Sequence, residues 1–170
     1  IDNPIEATIT VSEDNVCALE KDGTITCQDS SIVDVMNTTH QDISLSLESI
    51  CTIQTNGDVM CAGKILEYSE FDWNDIEDNG PYKEIMTWAP HSSITNHPSV
   101  VCTTNTSDHL KCWKGSGLNS YIEDFMNDVD SLANVPFASL SLGASFGCGL
   151  SLTGDLHCLG DVSNDNTQHP

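Results

Sequence analysis

Eight cysteines fall into four pairs, Cys17 with Cys27, Cys51 with Cys61, Cys102 with Cys112 and Cys148 with Cys158, each pair ten residues apart. Six residues after the first cysteine of each pair stand Gly23, Gly57, Asp108 and Gly154, preceded by Asp22, Asn56, Ser107 and Thr153. Asp-Gly or Asn-Gly between alternating apolar residues is a strong hairpin signal. Four copies of one hairpin define a repeat protein and constrain the fold more than any other feature of the chain.

The spacing fixes a register. A three-residue loop, Lys21-Asp22-Gly23 with a left-handed glycine, pairs Glu20 with Thr24, Leu19 with Ile25 and Cys17 with Cys27. Alternation then puts Cys17, Leu19, Ile25 and Cys27 on one face. The later copies give Cys51, Ile53, Val59, Cys61; Cys102, Thr104, Leu110, Cys112; and Cys148, Leu150, Leu156, Cys158. Opposed β-carbons lie about 4.5–5.5 Å apart, so disulfides across the hairpins require slight pinching of the strands. Disulfides within each hairpin are the preferred reading, against free buried thiols or bridges between repeats. Structural zinc disfavours this spacing, since its cysteine ligands usually stand two to four residues apart.

Paired cysteines with none left over point to oxidising surroundings: secreted, periplasmic or cell-surface. In the chain-entropy picture each such loop contributes roughly 2.5–3 kcal/mol. The chain of 170 residues is long enough for one core and reads as a single domain, 1–170. Its 26 acidic residues against five lysines and no arginine give a net charge of −21. Such a balance argues against nucleic acid and against an anionic membrane surface, both of which need cationic partners. Ile1 opens into an acidic segment, which suggests a mature form whose leader has been removed. Leu132 to Gly154 is uncharged over 23 residues, but its Asn134, Pro136, serines and glycines speak against a membrane span.

A strand enters each hairpin. Ile9, Ile43, Ile94 and Leu140 stand eight residues before the first cysteines, and Val11, Leu45, Asn96 and Leu142 stand six before. The expected strands are Thr8–Val11, Ile43–Leu47 and Leu140–Leu142, with the third copy short or bent because of Asn96 and Pro98. Ser31–Met36 reads as a fourth strand. The units therefore span about 7–36, 42–66, 92–118 and 138–161, with irregular inserts at 67–91 and 119–137. Within the second insert, Tyr121, Ile122, Phe125, Met126 and Val129 have helical spacing behind a candidate N-cap, Ser120.

The fourth copy, Leu140-Ser141-Leu142-Gly143-Ala144-Ser145-Phe146-Gly147-Cys148-Gly149-Leu150 followed by Thr153-Gly154-Asp155-Leu156-His157-Cys158-Leu159-Gly160, resembles the repeat of the regulator of chromosome condensation family. It is similar to the cysteine-bearing version of extracellular and bacterial proteins. That repeat runs strand, glycine, cysteine-leucine, Asp-Gly turn, cysteine-tryptophan-glycine; here Cys112-Trp113 keeps the tryptophan and Cys61-Ala62-Gly63 the glycine. Copies one to three have Ser12, Ser46 and His97 where the fourth has Gly143. The resemblance implies an all-β, antiparallel β-propeller with four-stranded blades, although the family's usual seven-bladed ring needs about twice this length.

The fourth unit lacks an outer strand, which leaves an open edge. Ile1, Asp2, Asn3, Pro4 and Ile5, or the tail after Gly160, are candidates to fill it, within the chain or from a neighbour. Catalytic signals are weak. Gly143-Ala144-Ser145-Phe146-Gly147 matches a nucleophile-elbow pattern, but that elbow needs a strand-to-helix turn. The six histidines show no metal-ligand spacing. Two acidic clusters, Asp72 to Asp78 and Asp161 to Asp165, lack the glycine and distal glutamate of a calcium loop, so no metal or cofactor is expected. Asn37 and Asn105 head glycosylation triplets. The leading expectation is a non-enzymatic extracellular structural subunit that self-associates through edge strands into a filament or surface layer. The alternative is a secreted propeller-type binding module for a protein or glycan ligand.

Overall fold

The computed structural model describes residues 7–12, 15–29, 38–46, 49–63, 76, 80–88, 100–114, 120–143 and 146–160. They form four antiparallel sheets of three strands each. Sheet one holds β1 (Thr8–Val11), β2 (Val16–Leu19) and β3 (Ile25–Cys27). Sheet two holds β4 (His40–Ser46), β5 (Ser49–Gln54) and β6 (Val59–Gly63). Sheet three holds β7 (Tyr82–Trp88), β8 (Val100–Asn105) and β9 (Leu110–Lys114). Helix α1 (Ser120–Ser131) precedes sheet four, which holds β10 (Phe137–Leu142), β11 (Phe146–Ser151) and β12 (Leu156–Gly160).

The hairpin register is the one the turn chemistry dictates. Cys17 opposes Cys27 and Leu19 opposes Ile25, and the Glu20 amide donates to the Thr24 carbonyl. All four disulfides lie within hairpins, with Cα–Cα distances of 4.0 to 4.1 Å. Each cysteine pair occupies a non-hydrogen-bonded position, where opposed Cα atoms lie only about 4.5 Å apart, so little pinching closes the bridge.

Two expectations about the elements need correction. The strand entering the third hairpin is β7, which lies inside the stretch read as an irregular insert, and it pairs Trp88 with Val100 and Met86 with Cys102. The eight-residue offset fails because the β7–β8 connection occupies positions 89–99, against 47–48 in sheet two. Ile94 and Asn96 lie outside the described residues, as does the strand expected at 31–36. Three strands per sheet are therefore described, not the four per blade that the resemblance implied. The helix forms over Ser120–Ser131 as its spacing predicted.

Packing follows one rule at every joint between neighbouring sheets. The cysteine face of sheet one (Cys17, Leu19, Ile25, Cys27) packs on the reverse face of sheet two (Ile43, Leu45, Ile50, Met60, Ala62). The cysteine face of sheet two (Cys51, Ile53, Val59, Cys61) packs on the reverse face of sheet three, where Ile85, Val101 and Trp113 are buried. Tyr82 meets Trp113 edge-on with centroids 5.7 Å apart, and its hydroxyl donates to the Ile76 carbonyl at 2.7 Å. The cysteine face of sheet three packs on Phe137, Leu140, Leu142 and Leu159 of sheet four, with Ile122, Phe125 and Val129 of α1 completing the cluster. Gly149 makes room there, because a β-carbon would stand 2.4 Å from Leu140 and 2.6 Å from Phe137.

Candidate binding rim

The turns of the four hairpins repeat one hydrogen-bond pattern. The residue in the left-handed conformation donates its amide three residues back: Gly23 to Glu20, Gly57 to Gln54, Asp108 to Asn105 and Gly154 to Ser151. Their φ angles are 86°, 92°, 64° and 89°. Glycine tolerates this region freely, and aspartate is among the few other residues found there regularly.

The same left-handed residues tie neighbouring sheets together. His40 donates its amide to the Gly23 carbonyl at 2.9 Å, Tyr82 to Gly57 at 3.0 Å and Phe137 to Asp108 at 2.8 Å. All three donors are buried residues that open their entering strands. The turn ends are thus held in a fixed row by backbone bonds.

Every turn in the row carries an aspartate. Asp22 accepts from the Thr24 amide at 3.0 Å and the Thr24 hydroxyl at 2.7 Å, and the hydroxyl bond leads in holding its carboxyl below the usual range. Asp58 accepts from the Asn56 side-chain amide at 2.6 Å, and Asp155 accepts from the Thr153 hydroxyl at 2.7 Å. Asp108 pairs with Lys83, whose ammonium is pushed above its ordinary value chiefly by that contact. Asp22, Asp58 and Asp155 are exposed, so the rim presents carboxylates to solvent.

A cleft of about 590 Å³ opens between the first two turns, lined by Glu20, Lys21, Asp22, Gly23, His40 and Gln41 among others. His40 is buried, and desolvation lowers the basicity of its imidazole. Its Nε2 lies 3.4 Å from the Thr38 hydroxyl, while its Nδ1 has no hydrogen-bond partner. Between sheets two and three, Asp42 accepts from the Ile85 amide at 2.7 Å; its carboxyl is raised above the usual range because desolvation outweighs its hydrogen bonds. The sequence reading missed His40 and Asp42. Both stand on β4, and only the position beside the buried Ile43 hinted at their depth.

Of the other candidate residues, Asn105 ends β8, half-buried, and its side-chain carbonyl accepts from the Ser107 and His109 amides. Asn37, Ser145, Ile1 to Ile5 and both acidic clusters lie outside the described residues. Gly143 donates to the Phe146 carbonyl in a tight turn between β10 and β11, so the elbow pattern falls between two strands and not at a strand-to-helix turn. Among the described residues no group of three or more histidine, cysteine or acidic side chains could hold a metal ion, and no helix is long and apolar enough to cross a membrane.

No protein-family model matches the chain, and no curated protein matches its sequence. Its fold is similar to solved structures. The CRINKLY WD40 ectodomain of the Arabidopsis thaliana receptor kinase ACR4 aligns with a TM-score of 0.61 at 21% identity over 93% of this chain and 52% of that one. The entire ectodomain of the Physcomitrella patens receptor kinase CR4 aligns with a TM-score of 0.61 at 21% identity, covering 94% of this chain and 40% of that one. Human WBSCR16 aligns at 0.60 with 9% identity, covering 94% and 49%. The chain thus spans about half the length of these structures or less.

These findings overturn the assignment to the regulator of chromosome condensation family. The cysteine pairs and turn glycines among the quoted residues are what a bulged hairpin with opposed cysteines requires, so they mark the hairpin and not one family. What stands is the fold: all-β, propeller-like, of four antiparallel sheets stapled by four disulfides, similar to extracellular ectodomains.

Proposed function

We propose that the chain is a non-enzymatic binding module of an extracellular protein and that its row of hairpin turns takes a basic protein segment. One observation carries this reading: three of the four turns in the row present an exposed aspartate, in a chain of net charge −21. Carboxylates on a backbone-fixed rim attract a cationic ligand without the entropy cost of ordering mobile loops. The likeness to receptor-kinase ectodomains supports an extracellular setting, as does the disulfide content. A glycan at Asn37 or Asn105 belongs to the same proposal. A glycan as ligand is less favoured, because the rim's charge gains nothing from a neutral sugar.

Titrating lysine- and arginine-rich peptides by calorimetry tests the reading. Binding should weaken as salt rises, and Asp22→Asn, Asp58→Asn and Asp155→Asn combined should weaken it by roughly tenfold or more, about 1.4 kcal/mol. Equal binding of neutral peptides, or no effect of the triple variant, would remove the rim from consideration.

Self-assembly, the structural-subunit reading, is the second proposal. Its support is specific: the sheets at the two ends of the row keep apolar side chains exposed.

A further inference from the structure

Three joints in the row set a cysteine face against a reverse face, which among the described residues leaves one face of each kind unused. On sheet one the reverse face exposes Ile9, Val11 and Val16, at 68%, 65% and 42%. On sheet four the cysteine face exposes Phe146, Leu150 and Leu156, at 46%, 41% and 71%. Neither face carries an ionisable side chain at its strand positions, although the chain as a whole is strongly acidic. Charge-free apolar faces in such a chain are built to be covered.

The register names what would cover them. At the first joint the Leu45 amide donates to the Thr10 hydroxyl at 3.3 Å, and at the second the Thr87 amide donates to the Ser44 hydroxyl at 2.9 Å. Thr10 stands opposite Cys17 and Ser44 opposite Cys51. The residue opposite Cys148 is Ser141, an exposed hydroxyl on the open cysteine face. The amide equivalent to those of Leu45 and Thr87 is that of Val11, on the open reverse face. The turns agree: a β-carbon on Gly23 would lie 3.0 Å from the His40 amide of the next sheet's entering strand and one on Gly57 would clash with Pro81 just before β7, whereas one on Gly154 would meet nothing within 4 Å.

We propose that the two open faces take each other. Two copies pair head to tail at two joints, each made of sheet four of one copy and sheet one of the other. The joint buries Leu156 and Leu150 against Ile9 and Val11, with the Ser141 hydroxyl accepting from the Val11 amide. The inference deepens the self-assembly reading and rests on it, but moves the contact from strand edges to sheet faces.

The test is the mass of the oxidised chain by light scattering and sedimentation, with Ile9→Glu, Leu156→Glu and, as a control on an exposed turn, Thr106→Glu. The wild type and Thr106→Glu should run at twice the chain mass. Ile9→Glu and Leu156→Glu should each run as monomers, with association weakened on the order of a hundredfold or more by a carboxylate buried at both joints. Mixing these two variants should restore a one-to-one dimer through the single intact joint, which only a head-to-tail contact allows. Retention of four disulfides by mass, and of the wild-type far-ultraviolet spectrum, shows that the exposed substitutions leave the fold intact. Wild-type monomer at the highest soluble concentration overturns both this inference and self-assembly. An oligomer that ignores the face substitutions and vanishes when residues 1–5 are removed overturns only the face pairing. Loss in both variants without rescue on mixing, or open-ended stacks, overturns the head-to-tail ring.

Discussion

At the scale of single residues, the same glycine does different work in different turns. Gly57 has φ of 92°, and a β-carbon there would lie 2.3 Å from Cβ of Pro81, itself fixed in the approach to β7. Gly154 has φ of 89° with open space around it. Gly154→Ala should therefore cost only the left-handed penalty, about 1–2 kcal/mol. Gly57→Ala should cost that and a backbone displacement as well, and denaturant titration should separate the two. His40 gives a pH signature. Its folded-state basicity is lowered by burial, so the unfolded chain binds more protons in the window below the ordinary value of about 6.5. The neutral ring's contribution is fully present above that window and is lost as pH falls through it to the folded value. Denaturation at a series of pH values should show stability falling on acidification, with a shallower fall in His40→Phe over the same window.

Elements decide how well each staple is protected. Cys51 is fully buried at the joint between sheets two and three, whereas Cys148 and Cys158 lie on the open face of sheet four and Cys158 is exposed. Stepwise reduction followed by thiol alkylation and mass mapping should find Cys148–Cys158 opened first and Cys51–Cys61 late. Loss of one staple should lower stability by roughly 2.5–3 kcal/mol in the chain-entropy picture. An intact oligomer covering sheet four would slow the first step, so the order is best read in Leu156→Glu, in which that face stays open. Much of this level was legible in advance. Hairpin pairing is local and set by turn chemistry and alternation, as in Cys17 opposite Cys27. Entering strands were legible where the connection was short, as in β1, and illegible for β7, whose position depends on a connection of unconstrained length.

Across the whole molecule, charge and packing pull in opposite directions. A net charge of −21 opposes compaction, and the sheets hold together through joints of apolar side chains and hydrogen bonds. Screening should relieve the repulsion, so the midpoint of thermal unfolding should rise as sodium chloride goes from low to physiological ionic strength, where the Debye length is about 8 Å. A midpoint insensitive to salt would mean that the acids are spaced too widely for their repulsion to matter. The rim sites depend on the same architecture. Asp22 was visible in the sequence as a turn residue, whereas Asp58 was not singled out, and nothing local said that Gly23 and Gly57 would bond to the next sheet and bring their turns into one row.

By itself, the amino-acid order determined the repeating unit: four hairpins, their cysteine pairs, their left-handed turn positions and the face each side chain takes, because all of these follow from a period of two and a three-residue turn. Only the tertiary structure decided which face meets which, that β7 enters the third hairpin, that His40 is buried beside a cleft, and that one face of each kind is left open at the ends of the row. Those outcomes depend on contacts between residues far apart in the chain, which no local pattern encodes.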